Sequence, residues 1–147
     1  MSGTRTKHIM SGRVVLYILI LLVTVFLISM IIMYTREDPE KIYKKNTSIR
    51  VEVLNGCGVD RLALKVANIL RKRGFNVMKI GNASHESFDE SVIIERMDEN
   101  MKNAHYVAKR IGCKNIGKDI DPALYIEITL IVGKDYRKLF PDVGKEI

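Results

Sequence analysis

Between residues 14 and 34 the sequence contains no charged residue, no proline and no glycine. At 1.5 Å of rise per residue such a run reaches about 30 Å as a helix, the thickness of a bilayer core. Its exit, Ile31-Ile32-Met33-Tyr34, lacks a small-x-small cleavage site, and its length exceeds the roughly 7 to 15 apolar residues of a secretory signal. The expectation is an uncleaved membrane anchor. Residues that carry chemistry are also sparse. The chain has 2 cysteines and 3 histidines, at spacings that make no zinc signature, and neither a metal nor a cofactor is expected. His85 falls in a polar loop and His105 on a helical stretch, neither inside a nucleophile motif, so the chain reads as noncatalytic. Aromatic residues do not interleave with cations, which argues against nucleic acid as a partner. Internal repeats and low-complexity segments are absent.

What is present divides the chain into a basic tail over residues 1–13, a transmembrane helix over 14–34, a linker over 35–48, a folded domain over 49–137 and a polar tail over 138–147. Arg5, Lys7 and Arg13 precede the apolar run, and Arg36, Lys41, Lys44 and Lys45 follow it, so the positive-inside rule does not decide the orientation. The short, acid-free tail favours an N-terminus inside the cytoplasm and a domain outside the cytoplasmic membrane. The net charge is +7, and the 3 cations of the tail supply nearly half of it. The mildly basic remainder fits attraction to anionic headgroups or polymers, and equally fits plain solubility.

Within the domain, IRVEVLNG (49–56) alternates as a strand, and Asp60 is placed to cap a helix that runs to Arg73 and stops at Gly74. FNVMKI (75–80) and SVIIER (91–96) read as strands. Asp98 is placed to start a second helix to Ile111, stopped by Gly112, and a loop with Gly117 and Pro122 precedes a last strand over 124–133. The order predicts a β-α-β-β-α-β two-layer α/β (α+β) sandwich of ferredoxin-like type, with both helices on one face of an antiparallel sheet. The alternative keeps these elements with some strands parallel.

That topology puts the strand-to-helix turn and the end of the second strand on one edge, giving Asn55, Gly56, Gly58 and Asn82 as a candidate ligand-binding edge. Glycines there imply backbone with positive φ or a close approach, leaving either free N–H groups for an anion or a tight connection with no ligand. Arg61, Lys65 and Lys72 fall on one stripe of the first helix, a candidate basic face or a solvated one. Cys57 and Cys113 reach the same end, as a disulfide in an oxidising compartment or as two small buried thiols.

VEVLNGCGV (51–59), the helix bearing Ala63, Val66, Ala67 and Leu70, RGFNV (73–77), Gly81-Asn82-Ala83 and LIVGKDY (130–136) together resemble the LytR C-terminal domain family over about residues 48–137. L-N-G-x-G and V-G-x-D-Y are the most specific elements. The resemblance implies a bacterial cell-envelope domain outside the cytoplasmic membrane, which in that family follows a LytR-CpsA-Psr catalytic domain or stands alone behind an anchor. With no room for the catalytic domain, its transferase activity is not carried over. The expected role is a noncatalytic module binding peptidoglycan or an anionic glycopolymer, or alternatively a membrane scaffold contacting cell-wall synthesis proteins. Cys57 departs from the small polar residue usual at its position, so the resemblance gives it no role.

Overall fold

The computed structural model describes residues 12–85 and 87–145, and the chain divides into two compact units, Met1–Asp38 and Pro39–Ile147. Of the basic tail, only Gly12 and Arg13 lie among the described residues. The first unit contains α1 (Gly12–Thr35), 24 residues with none buried and apolar enough over its length to cross a bilayer. The hydroxyls of Thr24 and Thr35 donate to the carbonyls of Leu21 and Ile31, so both are satisfied within the helix.

The second unit opens with α2 (Pro39–Ser48) where the sequence suggested a linker. Pro39 and Glu40 in the first turn suit a helix start, but mixed charge conceals the signal because α2 has no apolar stripe. Its buried residue is Asn46, which donates to the Arg73 carbonyl at 2.6 Å and accepts from the Tyr106 hydroxyl at 2.8 Å. This polar side chain thus bonds α2 to two distant parts of the unit.

Five strands, β1 (Arg50–Asn55), β2 (Asn76–Asn82), β3 (Val92–Glu95), β4 (Asn115–Lys118) and β5 (Ile128–Val132), form a sheet in the order β2-β1-β5-β3-β4. β1 is parallel to β2 and β5, β3 is parallel to β4, and β3 is antiparallel to β5. Helices α3 (Leu62–Lys72) and α4 (Lys102–Ile111) share one core with Val51, Val53, Ile93, Ile128 and Leu130 on one face of this sheet. The α/β two-layer class is therefore as expected, but the ferredoxin-like strand order is not. That order needs the second and third strands to form a hairpin, whereas β2 pairs with β1 and β3 pairs across β5. β3 does run back from the edge where β2 ends; the intervening loop carries it past β1 and β5 first. β4 was missed because Asn-Ile-Gly-Lys offers a single apolar residue to read.

The expected caps also differ. Arg61, in left-handed backbone with φ 54°, precedes α3, and Met101, with φ 53°, precedes α4, neither capping with its side chain. Glu95 supplies the missing acceptor for α4: fully buried, its carboxylate accepts from the amides of Ala104 at 2.8 Å and Asp98 at 3.2 Å. A strand residue caps this helix. Residues 138–145 of the expected polar tail are folded too. α5 (Tyr136–Leu139) and a 3-10 turn (Pro141–Lys145) bring Phe140, 0% exposed, and Val143 into the core beside α3.

The β1–β5 pair is pinned at its start by Glu127, whose carboxylate accepts from the Arg50 amide at 2.6 Å and the Arg50 guanidinium at 2.7 Å. Burial pushes this carboxyl up, but the Arg50 hydrogen bonds and charge outweigh it and hold the pKa below the ordinary value. A lowered folded-state pKa stabilises the fold above the unfolded value and loses that contribution as pH falls through the folded one. Glu127→Gln is expected to cost about 1–2 kcal/mol at neutral pH, and the gap from the parent, measured by denaturant unfolding, closes as pH falls through the lowered pKa of Glu127. A gap independent of pH would contradict this assignment.

Candidate functional site

β1, β2 and β5 are parallel, so their C-terminal ends meet at one edge of the domain. Asn55 and Asn82 are register partners there. Asn55 is 7% exposed; its amide nitrogen donates to the Val59 carbonyl at 2.8 Å and its oxygen accepts from the Cys57 amide at 3.3 Å. Its side chain is consumed in shaping the turn. Gly58 provides the positive φ, 69°, and both Gly58 and Asn82 are exposed.

Gly56 serves a different purpose from the one its turn position suggested. It is buried, and a Cβ there would stand 2.6 Å from Ile131 Cγ2 and 2.9 Å from Phe88 Cδ2. Gly133 is tighter still, with a Cβ meeting the Glu90 carbonyl carbon at 2.5 Å and the Ser91 nitrogen at 2.8 Å. These glycines let the loop between β2 and β3 lie against the ends of β1 and β5. Along its path Ala83 N donates to Asn55 O at 2.9 Å, Phe88 N to Gly56 O at 2.9 Å, and Lys134 N to Phe88 O at 3.0 Å. Asp135 closes the far side: its carboxylate accepts from the Ser91 amide at 2.8 Å and hydroxyl at 2.6 Å, and Ser91 Oγ in turn accepts from Gly133 N at 3.0 Å. The L-N-G and V-G-x-D-Y strings are the two ends of this clamp. At the rim Lys134 pairs with Asp89 at 2.8 Å, and that hydrogen bond holds Asp89 below and Lys134 above their ordinary pKa values.

Beside the clamp lies a cavity of about 520 Å³, lined by Val59, Leu62, Lys65, Tyr136, Arg137 and Pro141 among others. The basic stripe of α3 is therefore not one open face. Lys65 lines this cavity with Arg137, whereas Lys72 lines another of about 380 Å³ with Arg73 and Lys145. Arg61 stands at the start of α3 beside Asp60, 4.0 Å away. Sequence reading missed Arg137, which lies on α5, and Ser91, which carries no signal of its own. The two cysteines are free thiols: Cys57 is half-buried with Sγ 3.8 Å from Asn55 Oδ1, and Cys113 is buried with Sγ donating to the Ser91 carbonyl at 3.3 Å. Burial pushes the Cys113 pKa up. Among the described residues no group of three His, Cys, Asp or Glu side chains gathers as a metal site requires.

Fold and edge together define a small mixed α/β module whose motif residues build a clamp beside a cation-lined cavity. The family model described as LytR cell envelope-related transcriptional attenuator matches residues 48–136, and the chain belongs to that family, as LNGCG and VGKDY indicated. It is a domain related to the cell envelope. No curated protein and no solved structure matches the chain. Arg137 and Pro141, which help line the cavity, lie just beyond the matched residues.

Gly133→Ala, which drives a Cβ into backbone, is expected to destabilise the domain by about 3 kcal/mol, and Gly56→Ala, meeting side chains as well, by about 1–3 kcal/mol. Gly144→Ala, with nothing within 4 Å of its Cβ, should stay within about 0.5 kcal/mol of the parent. Thermal or denaturant unfolding of the three variants checks the order. In thiol titration without reductant, Cys57 should react in the native protein and Cys113 only on unfolding; a denatured sample with no reactive thiol would show that they had bonded instead.

Proposed function

We propose that the chain is a noncatalytic, membrane-anchored module of the cell envelope that binds peptidoglycan or an anionic glycopolymer attached to it. The observation that carries this reading is the cavity lined by Lys65, Arg137 and Tyr136, next to the edge that both family motifs build. Lysine and arginine supply charge-assisted hydrogen bonds to phosphate or carboxylate, and Asp60 is the acid of the lining. His85 and His105 are exposed on separate elements, and the Cys113 thiol is buried and held protonated, which supports binding rather than catalysis. In this reading α1 anchors the chain in the cytoplasmic membrane, with the N-terminus inside and the domain outside, where a wall polymer is within reach.

A second reading, a scaffold contacting wall-synthesis proteins, draws support from the helix-free face of the sheet. Leu54, Ile131 and Val92 stand there in register, and Leu54 and Val92 are only half-buried. Sedimentation of residues 39–147 with purified cell walls separates the readings. The polymer-binding reading expects retention that falls about tenfold in Lys65→Ala/Arg137→Ala. Retention no greater than that of a control protein, or unchanged in the double variant, would refute it.

A further inference from the structure

A second cationic surface lies at the end of the domain where β1 begins, opposite the cavity edge. α2 presents Lys41, Lys44 and Lys45, all exposed, together with Glu40. It is laid against the C-terminal end of α3. Asn46 bonds to the Arg73 carbonyl, and Gly74, with φ 88°, leaves room for the Tyr43 ring, which a Cβ there would approach to 2.9 Å. The Lys45 ammonium lies 4.4 Å from the centroid of the Tyr106 ring. Adjoining α2 is the cleft of about 380 Å³ among Ile69, Lys72, Arg73, Asp142 and Lys145. Asp142 is paired with Lys145 at 3.0 Å, and Lys145, Arg73 and Lys72 together hold its carboxyl below the ordinary value. On α2 and in this cleft six cations stand with two acids, Glu40 and Asp142.

We infer that this end of the domain docks on anionic phospholipid headgroups of the bilayer, with a headgroup phosphate seated in the cleft between Arg73 and Lys145. Chain length selects that partner. The domain is entered through α2, and only Arg36, Glu37 and Asp38 separate it from the end of α1, a connection that reaches about 14 Å at full extension. Exposed cations act over roughly a Debye length of 8–10 Å, so the lysines of α2 lie within range of a charged headgroup layer. Tyr43, 63% exposed among these lysines, has the amphipathic ring that favours that layer. The 6 residues of β1 span about 20 Å from this end to the clamp edge at Asn55, so docking here turns that edge away from the lipid. The inference does not depend on what the cavity binds.

The test uses the full chain in nanodiscs of phosphatidylcholine alone or with about one-third phosphatidylglycerol, read by amide hydrogen exchange. Exchange over residues 40–48 and 71–75 should slow at least about threefold in the anionic discs and recover at about 0.5 M salt. Lys44→Gln/Lys45→Gln should abolish the slowing, with exchange in β1 and β5 unchanged as the measure of an intact fold. Lys65→Gln/Arg137→Gln should leave the slowing in place. Equal exchange in the two kinds of disc, slowing that survives salt, or slowing lost only in the Lys65/Arg137 variant would each overturn the inference. Because the salt response needs no substitution, the result does not rest on the variants folding.

Discussion

Residues 87–91 cross the ends of β1 and β5 because neither strand end places a Cβ in their path. At Gly56 the crossing brings the Phe88 ring within 2.9 Å of where a Cβ would stand, and at Gly133 it brings the Glu90 carbonyl carbon within 2.5 Å. The remaining topology follows from this passage. Since the loop spans two strands before turning back, β3 pairs antiparallel with β5 rather than β2, and the β3–α4–β4 unit is laid on the far side of the sheet. The polar groups exposed by the crossing are satisfied locally, by Asn55 in its own turn and by Asp135 on Ser91. An unsatisfied buried amide there would oppose the same passage.

This constraint also determines what the motif residues can contribute to binding. Asn55, Gly56, Gly133 and Asp135 are occupied in building the edge, and less distinctive neighbours line the cavity beside it. Lys65 comes from the middle of α3, and Tyr136 and Arg137 come from the segment that folds back along it. The motifs define the support, and the proposed polymer contacts fall to the residues facing the cavity. α2 gives the domain a second charged end, attached through Asn46. The proposed polymer contacts belong to one end and the proposed lipid contacts to the other.

Much of this was legible from pattern. The apolar run became α1, the alternation around Val51 and Val53 became β1, and the spacing of Val66, Ala67 and Leu70 became the buried face of α3. Gly74 and Gly112 end their helices in left-handed backbone, as glycines do. Illegible features were those fixed by distant partners. Glu95 caps α4 from a strand, Asn46 holds α2 through Arg73 and Tyr106, and Phe140 is buried against a helix some seventy residues earlier. Local chemistry could not reveal that Gly56 matters for the lack of a side chain in a loop's way, rather than for its φ. Of the stripe Arg61-Lys65-Lys72, Lys65 and Lys72 lie on α3 while Arg61 precedes it in left-handed backbone, and the tail that divides the stripe carried only the faint apolar signal of Leu139-Phe140.

The crossing itself can be measured most directly by nuclear Overhauser contacts in isotopically labelled protein. The account predicts contacts from Phe88 to both Gly56 and Lys134, together with a β3–β5 ladder that includes Ile93 opposite Leu130. A continuous antiparallel ladder between β2 and β3, with no contact from Phe88 to either strand end, would contradict it.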